Sequence, residues 1–296
     1  MQPRFTVVVP TYNRKSTLRQ TLIALVAQDY SDFEIIIVDD GSTDGTAEMM
    51  LQEFPGARYI RQANRGPAAA RNRGVQAATG EIIAFTDDDC VPPPDWLSRL
   101  ADGFARYPQV VGVGGALEAP EDVLKTNRWA QYERYVSHTV YRTGATEYLG
   151  GFECPAGGTN NLAYRRAAIV QIGGFDETFP FAAGEDTDLK LRLCQGGAQL
   201  LYVPVTALHL QDYTAAGFKR QAYFRGQGRA RFDAKHGPHP SRLRSSLRLV
   251  RRELRFFTDL LNATQRPFIV IRLQEAWYNF QGEWAMLSRL RSGRNA

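Results

Sequence analysis

Apolar and polar positions along the first 116 residues fall into short alternating blocks. Phe5–Val9 is β-branched and apolar and stops at Pro10-Thr11-Tyr12-Asn13. From Ser16 onward, Leu18, Leu22, Leu25 and Val26 recur at helical spacing. Ile35–Val38 is a continuous apolar run, the pattern of a strand buried on both faces, and it ends on Asp39-Asp40-Gly41-Ser42. A helix to about Phe54, a short strand at Tyr59-Ile60 and a helix over Pro67–Ala78 follow. Then come a strand over Ile82–Phe85, a helix over Trp96–Tyr107 and a strand over Val110–Ala116. This β-α-β-α order predicts an α/β fold, a mostly parallel sheet flanked by helices.

Residues 117 to about 180 are less regular and rich in glycine and aromatic residues. Gly184-Glu185-Asp186-Thr187-Asp188 opens a helix through Leu189, Leu191 and Leu193, and Leu200–Val203 returns to strand. Beyond Tyr213 the pattern is helical. The expected division is a body over 1–213 and a C-terminal helical extension over 214–296.

Ligands of such sheets bind beyond the carboxyl ends of the strands. Three polar clusters fall there: Pro10–Asn13, Asp39–Ser42 and Asp87-Asp88-Asp89. The last is the strongest chemical signal, because three consecutive acids repel one another and gain nothing from packing. Hard carboxylate oxygens suit Mg²⁺ or Mn²⁺, and an ion held with open positions can grip a diphosphate. A solvated acidic turn would carry the same triplet, so the convergence of three strand ends is what argues for a site. Strand alternation turns Asp88 away from its two neighbours.

Several of these segments together resemble family 2 glycosyltransferases. They are Val7–Arg14, Ile37–Thr46, Asn64-Arg65-Gly66 with Ala70-Arg71-Asn72, the Asp-X-Asp site at 87–89, Gly173–Glu177 and Gly184–Asp188. The resemblance covers roughly residues 5–210, in order. It implies a GT-A (Rossmann-like) fold, a nucleotide-diphosphate-sugar donor, Mn²⁺ or Mg²⁺, and hexosyl transfer with inversion at the anomeric carbon. Residues 1–116 would be the nucleotide-binding half of the catalytic domain and 117–213 the acceptor-binding half.

The resemblance also assigns roles. Pro10, Thr11 and Tyr12 would line the nucleoside pocket, with Asp40 or its neighbour Asp39 accepting from the base. Arg71 would lie near base or phosphate. Asp87 would face the ribose and the metal, Asp89 would ligate the ion, Asp88 would lie between them at the donor, and His209 would supply a further ligand. Asp186 would be the general base that takes the acceptor hydroxyl's proton, with Glu185 positioning hydroxyls. Acids in a first helical turn also serve the helix dipole, and a strand-to-helix turn also explains Asp39–Ser42. Thr159-Asn160-Asn161 would line the sugar pocket, and Trp96 and Trp129 would stack on sugar rings.

Charge is divided unevenly. Residues 219–296 carry 17 Lys+Arg against 5 Asp+Glu, whereas the rest carries 19 against 26. Within that basic part, Leu243, Leu247, Val250, Leu254 and Phe257 form an apolar stripe among arginines, and Leu273, Trp277, Phe280, Trp284 and Leu287 form another. A basic amphipathic helix suits an anionic membrane surface, and an acceptor that is polyprenyl-linked, rather than a free glycan, would bring the enzyme there. Packing on the body or on a second subunit would use the same stripes, so an oligomer is left open. Three cysteines without a CxxC pair give neither a disulfide framework nor a zinc site. The N-terminus shows no signal segment, and no run nears about 20 apolar residues. A cytoplasmic location, on the inner face of the membrane where peripheral, is the expectation.

The donor would carry UDP, dTDP or GDP, and the product would be a cell-surface polysaccharide. A nucleotidyltransferase would need a glycine-rich phosphate loop, which Pro10–Arg14 lacks. A non-catalytic nucleotide-sugar-binding protein would have no need of Asp186. No aromatic-basic interleaving points to nucleic acid.

Overall fold

The computed structural model describes residues 3–179, 181–237, 243, 245–250 and 266–291. Side chains alternate across the central strands as their period of two requires. In β1 (Phe5–Thr11), Phe5, Val7 and Val9 join one core layer and Val8 the other. In β2 (Phe33–Asp39), Ile35 and Ile37 face the first layer and Ile36 and Val38 the second. In β4 (Ile82–Thr86), Ile82 and Ala84 oppose Ile83 and Phe85 in the same way. With both faces buried, these strands must be apolar throughout.

Helices cover both faces. Leu18, Leu22 and Leu25 of α1 (Lys15–Val26) seal the first layer together with Trp96, Leu97 and Leu100 of α4 (Trp96–Arg106). The second layer is closed by α3 (Pro67–Ala77), α7 (Arg166–Gln171) and α8 (Glu185–Gln195). Between β2 and β3 (Arg58–Arg61) lies α2 (Thr46–Glu53).

The sheet order is β3-β2-β1-β4-β8-β6-β9-β5, with β7 (Tyr148–Gly150) also on β9. The first four strands are parallel. Beyond them β8 (Asn161–Arg165) runs antiparallel between β4 and β6 (Gly112–Glu118), and β6 pairs parallel with β9 (Leu200–His209). The sheet is therefore parallel in the first half and mixed in the second. The register sets Thr11 opposite Asp39, so the polar ends of β1 and β2 are level. Short β5 (Cys90–Val91) pairs Cys90 with His209, which brings the end of β9 to the acidic triplet.

The second half holds elements not legible from periodicity: α5 (Glu121–Thr126), α6 (Arg128–Thr139) and β8. Helix α9 (Ala215–His236) and the last helix, α10 (Ile269–Arg291), pack on each other. They also join α6, where Tyr132, Phe218 and Ile271 share a cluster and Tyr132 donates to Glu275 at 2.6 Å. The expected helical extension is thus fastened to the body by both helices. Of the stripe expected from Leu243, Leu254 and Phe257 lie outside the described residues. Ser245 donates to Glu283, and Arg248 donates to Asp233 and Glu283, at 2.8 and 3.0 Å. Leu243, Leu247 and Val250 remain exposed. Among the described residues no helix is long and apolar enough to cross a membrane.

Candidate active site

The strand ends open into one cleft of about 1660 Å³, lined by Pro10–Arg14, Asp40, Arg71, Asp87–Asp89, Asp186 and His209 among others. Two loops form one wall. Asn13, at φ 52°, donates its backbone N–H to Ser42 Oγ, and its side-chain oxygen accepts from the Thr43 N–H. Asp39 is fully buried and accepts from the Ser42 N–H and from the Tyr59 hydroxyl. Asp40 turns to the cleft side and accepts from Gln62 Nε2 and the N–H groups of Arg65 and Gly66, each at 2.8 Å. Gly41 between this pair and Ser42 has φ +94°, a conformation that favours glycine.

The acidic triplet is matched by cations on three sides. Asp87 Oδ1 accepts from Arg71 Nη2 at 2.8 Å. Asp88 accepts from Thr11 Oγ1 at 2.8 Å and from Arg14 Nη1 at 3.2 Å. Asp89 Oδ2 accepts from the same Arg14 nitrogen at 2.5 Å, while its Oδ1 lies 3.5 Å from His209 Nε2. Burial pushes Asp88 up to about 7 against the opposing charge of Arg14. Burial would raise Asp89 too, but His209 and Arg14 outweigh it and hold the carboxyl at about 2. Burial tends to lower His209, yet Asp89 prevails and raises it.

Gly184, at φ +96°, turns the chain so that Glu185 and Asp186 fall in the first turn of α8. A side chain there would also meet the Gly228 carbonyl of α9 at 3.1 Å. Glu185 Oε1 accepts from Arg71 Nη1 at 2.8 Å in a fully buried pair. Asp186 lines the cleft; its Oδ1 accepts from the Thr187 N–H at 2.6 Å, and Oδ2 has no protein partner among the described residues. Burial raises both carboxyls; the Asp186 charge raises Glu185 further, and Arg71 opposes both shifts. Phe175 backs the bridge, with the Arg71 guanidinium 5.8 Å from its ring centre, and it is pinned by Asn72, which exchanges two hydrogen bonds with its backbone.

The donor set suits a hard divalent cation. One ligand atom each from Asp89, Cys90 and His209 lies within 4.8 Å of the others. Burial drives the Cys90 thiol well above its usual range, and sulfur is in any case a poor match for a hard cation. That leaves the ionised Asp89 oxygen and the His209 nitrogen as the donors, which suit Mn²⁺ or Mg²⁺ better than a soft metal. Asp87 lies outside this trio, held by Arg71.

The sequence profile of Glycosyl transferase family 2 matches residues 6–172, more than half of the chain. The chain belongs to the family 2 glycosyltransferases. A pre-mycofactocin glycosyltransferase of Mycobacterium tuberculosis is 33% identical over 243 residues, 75% of this chain and 46% of that one. A glycosyltransferase of Haloferax volcanii is 38% identical over 207 residues, 68% of this chain and 64% of that one. The chain spans about half the length of the first curated relatives it matches. The solved mannosyltransferase of Pyrobaculum calidifontis, in complex with GDP-Man and Mn²⁺, superposes with TM-score 0.61 at 23% identity, covering 99% of this chain and 74% of that one. GalNAc-T7 with UDP, GalNAc and Mn²⁺ gives 0.56 at 18%, covering 79% and 50%. The fold is GT-A.

The segment that matches the family profile ends before Glu185, Asp186 and His209, so what is said of these three rests on geometry. Several expectations need correction. Asp88 does not turn away but joins Thr11 and Arg14, because regular strand structure ends at Thr86 and alternation no longer applies. Asp39 braces its own turn behind the cleft, and of the two acids it is Asp40 that lines the cleft. Glu185 points at Arg71 rather than at the cleft. Trp96 is fully buried and donates to Asn161 Oδ1 at 2.8 Å, so neither reaches a sugar. Trp129 stacks on Phe218 in the α6–α9 packing. Asn160 does line the cleft. Sequence reasoning gave no role to Arg14, although it closes the Val7–Arg14 segment just after the first strand, and it passed over Tyr141, Phe152, Lys190 and Phe224, which also line the cleft.

Proposed function

We propose that the protein is an inverting, divalent-metal-dependent transferase that moves a hexosyl group from a nucleotide-diphosphate-sugar to a hydroxyl of a glycan or lipid-linked acceptor, in cell-surface polysaccharide synthesis. The observation that carries the reading is the Arg71 bridge, which sets the Asp-X-Asp carboxylate Asp87 and the Glu185-Asp186 turn on opposite ends of one guanidinium. Donor and base are thereby held at one cleft.

Asp186 Oδ2 takes the proton of the acceptor hydroxyl as that oxygen bonds to the anomeric carbon. The bond from that carbon to the diphosphate breaks, and its electron pair leaves with the nucleoside diphosphate. Asp89 and His209 would hold the cation, which supplies charge neutralisation for the departing diphosphate. Asp40, Pro10, Thr11 and Tyr12 form the nucleoside wall, and Asp87 faces the ribose. UDP, dTDP and GDP sugars are the donor candidates, since a carboxylate accepts equally from uracil, thymine and guanine N–H groups. A cleft above the usual 300–1,000 Å³ of small-ligand pockets leaves room for the acceptor.

The test is release of nucleoside diphosphate from a panel of UDP, dTDP and GDP sugars, with Mn²⁺ and a mixed glycan and polyprenyl-phosphate acceptor set. One nucleotide class should turn over in the wild type and fall about 10²–10⁴-fold in Asp186→Asn. Equal turnover in the variant sinks the assignment.

Peripheral contact with an anionic membrane is supported by Leu243, Leu247 and Val250, which stand out from an arginine-rich segment. Failure to sediment with anionic liposomes at low salt removes this part of the reading.

A further inference from the structure

Two arginines meet the acidic triplet, and they differ in what they have left to give. Arg71 is 2% exposed and gives its two terminal nitrogens to Asp87 and Glu185. Arg14 is 52% exposed, lines the cleft, and gives Nη1 to both Asp88 and Asp89. Its Nε and Nη2 have no protein partner among the described residues.

Its placement is fixed from both ends. The preceding residue, Asn13, is tied to Ser42 and Thr43, which anchors the backbone where β1 ends. Asp88 and Asp89 then hold the guanidinium across the gap to the end of β4. Asp89 presents Oδ2 to Arg14 and Oδ1 to His209, so the arginine and the proposed cation-binding pair lie on different oxygens of one carboxylate.

We infer that Arg14 binds the diphosphate of the donor through Nε and Nη2, as a second cation on the leaving group beside Asp89. The inference rests on the glycosyltransferase reading of this cleft. A guanidinium offers a planar fork of donors matched to phosphate oxygens and does not lose its charge. Held by two carboxylates before the donor arrives, it loses little rotamer freedom on binding. Negative charge grows on the diphosphate as the glycosidic bond breaks, so a fixed cation there favours the transition state over the ground state.

The test compares wild type, Arg14→Gln and Arg14→Lys in calorimetric titrations with UDP, dTDP and GDP at saturating Mn²⁺, and in Mn²⁺ titrations without nucleotide read by electron paramagnetic resonance. Arg14→Gln should weaken the preferred nucleoside diphosphate about tenfold or more, the scale of a lost charge-assisted hydrogen bond. Arg14→Lys should recover part of that loss, and Mn²⁺ alone should bind the Gln variant at least as well as wild type. Diphosphate binding within twofold of wild type in Arg14→Gln overturns the inference. So does an equal loss of Mn²⁺ and diphosphate affinity, which would make Arg14 only an organiser of the carboxylates. If wild type binds none of the three diphosphates, the functional reading itself falls, and the inference with it.

Discussion

Arg71 and Glu185 are 114 residues apart in sequence, and Nη1 of one lies 2.8 Å from Oε1 of the other with both side chains almost wholly buried. This pair joins α3, which packs on the parallel half of the sheet, to α8, the helix that carries Asp186. Among the described residues the Nε of Arg71 and Oε2 of Glu185 have no hydrogen-bond partner, so there the pair is held by its mutual bond and by Asp87.

Arg71→Met strands the buried Glu185 carboxylate and removes a partner from the part-exposed Asp87, and breaking a buried pair costs about 3–5 kcal/mol. Urea unfolding should show a loss of that order. Arg71→Lys should restore charge but not the two-ended bridge, because an ammonium cannot span both partners. Its turnover should stay well below wild type even where stability recovers; full recovery of kcat would show that the bridge does not position α8.

Asp186 and Glu185 titrate as a pair whose folded pKa values are raised by burial. The folded state therefore holds protons that the unfolded chain has released between the usual carboxylate range and the raised values. Stability falls as pH rises through that window. Under the proposed mechanism activity should do the reverse, since only an ionised Asp186 can take the acceptor's proton. Asp186→Asn should accordingly melt later than wild type at pH 8 and no later at pH 4, which differential scanning calorimetry would read directly.

Trp96→Phe leaves Asn161 Oδ1 without its donor in a buried site, at a cost of about 1–3 kcal/mol. Asn161 also donates to the Ala116 and Val205 carbonyls, at 2.7 and 3.0 Å, so it joins β6, β8 and β9. The variant should lower the melting temperature and leave the donor KM unchanged. A raised KM with unchanged stability would restore the tryptophan to the sugar site.

Asp188 is fully buried and faces Arg192 Nε at 2.8 Å, Lys235 Nζ at 2.7 Å and His236 Nε2 at 2.6 Å. Burial would raise its carboxyl, yet the bonds from Lys235, His236 and Arg192 hold it low. That stabilisation is complete above the ordinary aspartate range and is lost as pH falls through the depressed value. Asp188→Asn should cost about 3 kcal/mol at pH 7 and progressively less in acid, by chemical unfolding at each pH.

The strand ends were legible because an apolar run that stops on Pro-Thr, Asp or Thr marks both the strand and its polar end, as at Val9, Val38 and Phe85. What the sequence hid is non-local. Strand β8 begins Asn161-Leu162-Ala163, and it becomes a strand by pairing antiparallel with β4 and β6. Nothing within its five residues announces that insertion. Period-two reasoning placed Asp88 wrongly because alternation ends where the strand does. Trp96 was misjudged for a related reason: an aromatic ring near a cleft and one beneath it look alike until the fold places the Asn161 acceptor.

The most direct measurement sets Asp89→Asn beside Asp186→Asn in calorimetric titrations with UDP, dTDP and GDP, with and without Mn²⁺. The account expects metal-dependent binding of one nucleotide in the wild type, its loss in Asp89→Asn, and unchanged binding without turnover in Asp186→Asn. Equal loss of binding in both variants, or binding indifferent to metal, would contradict it.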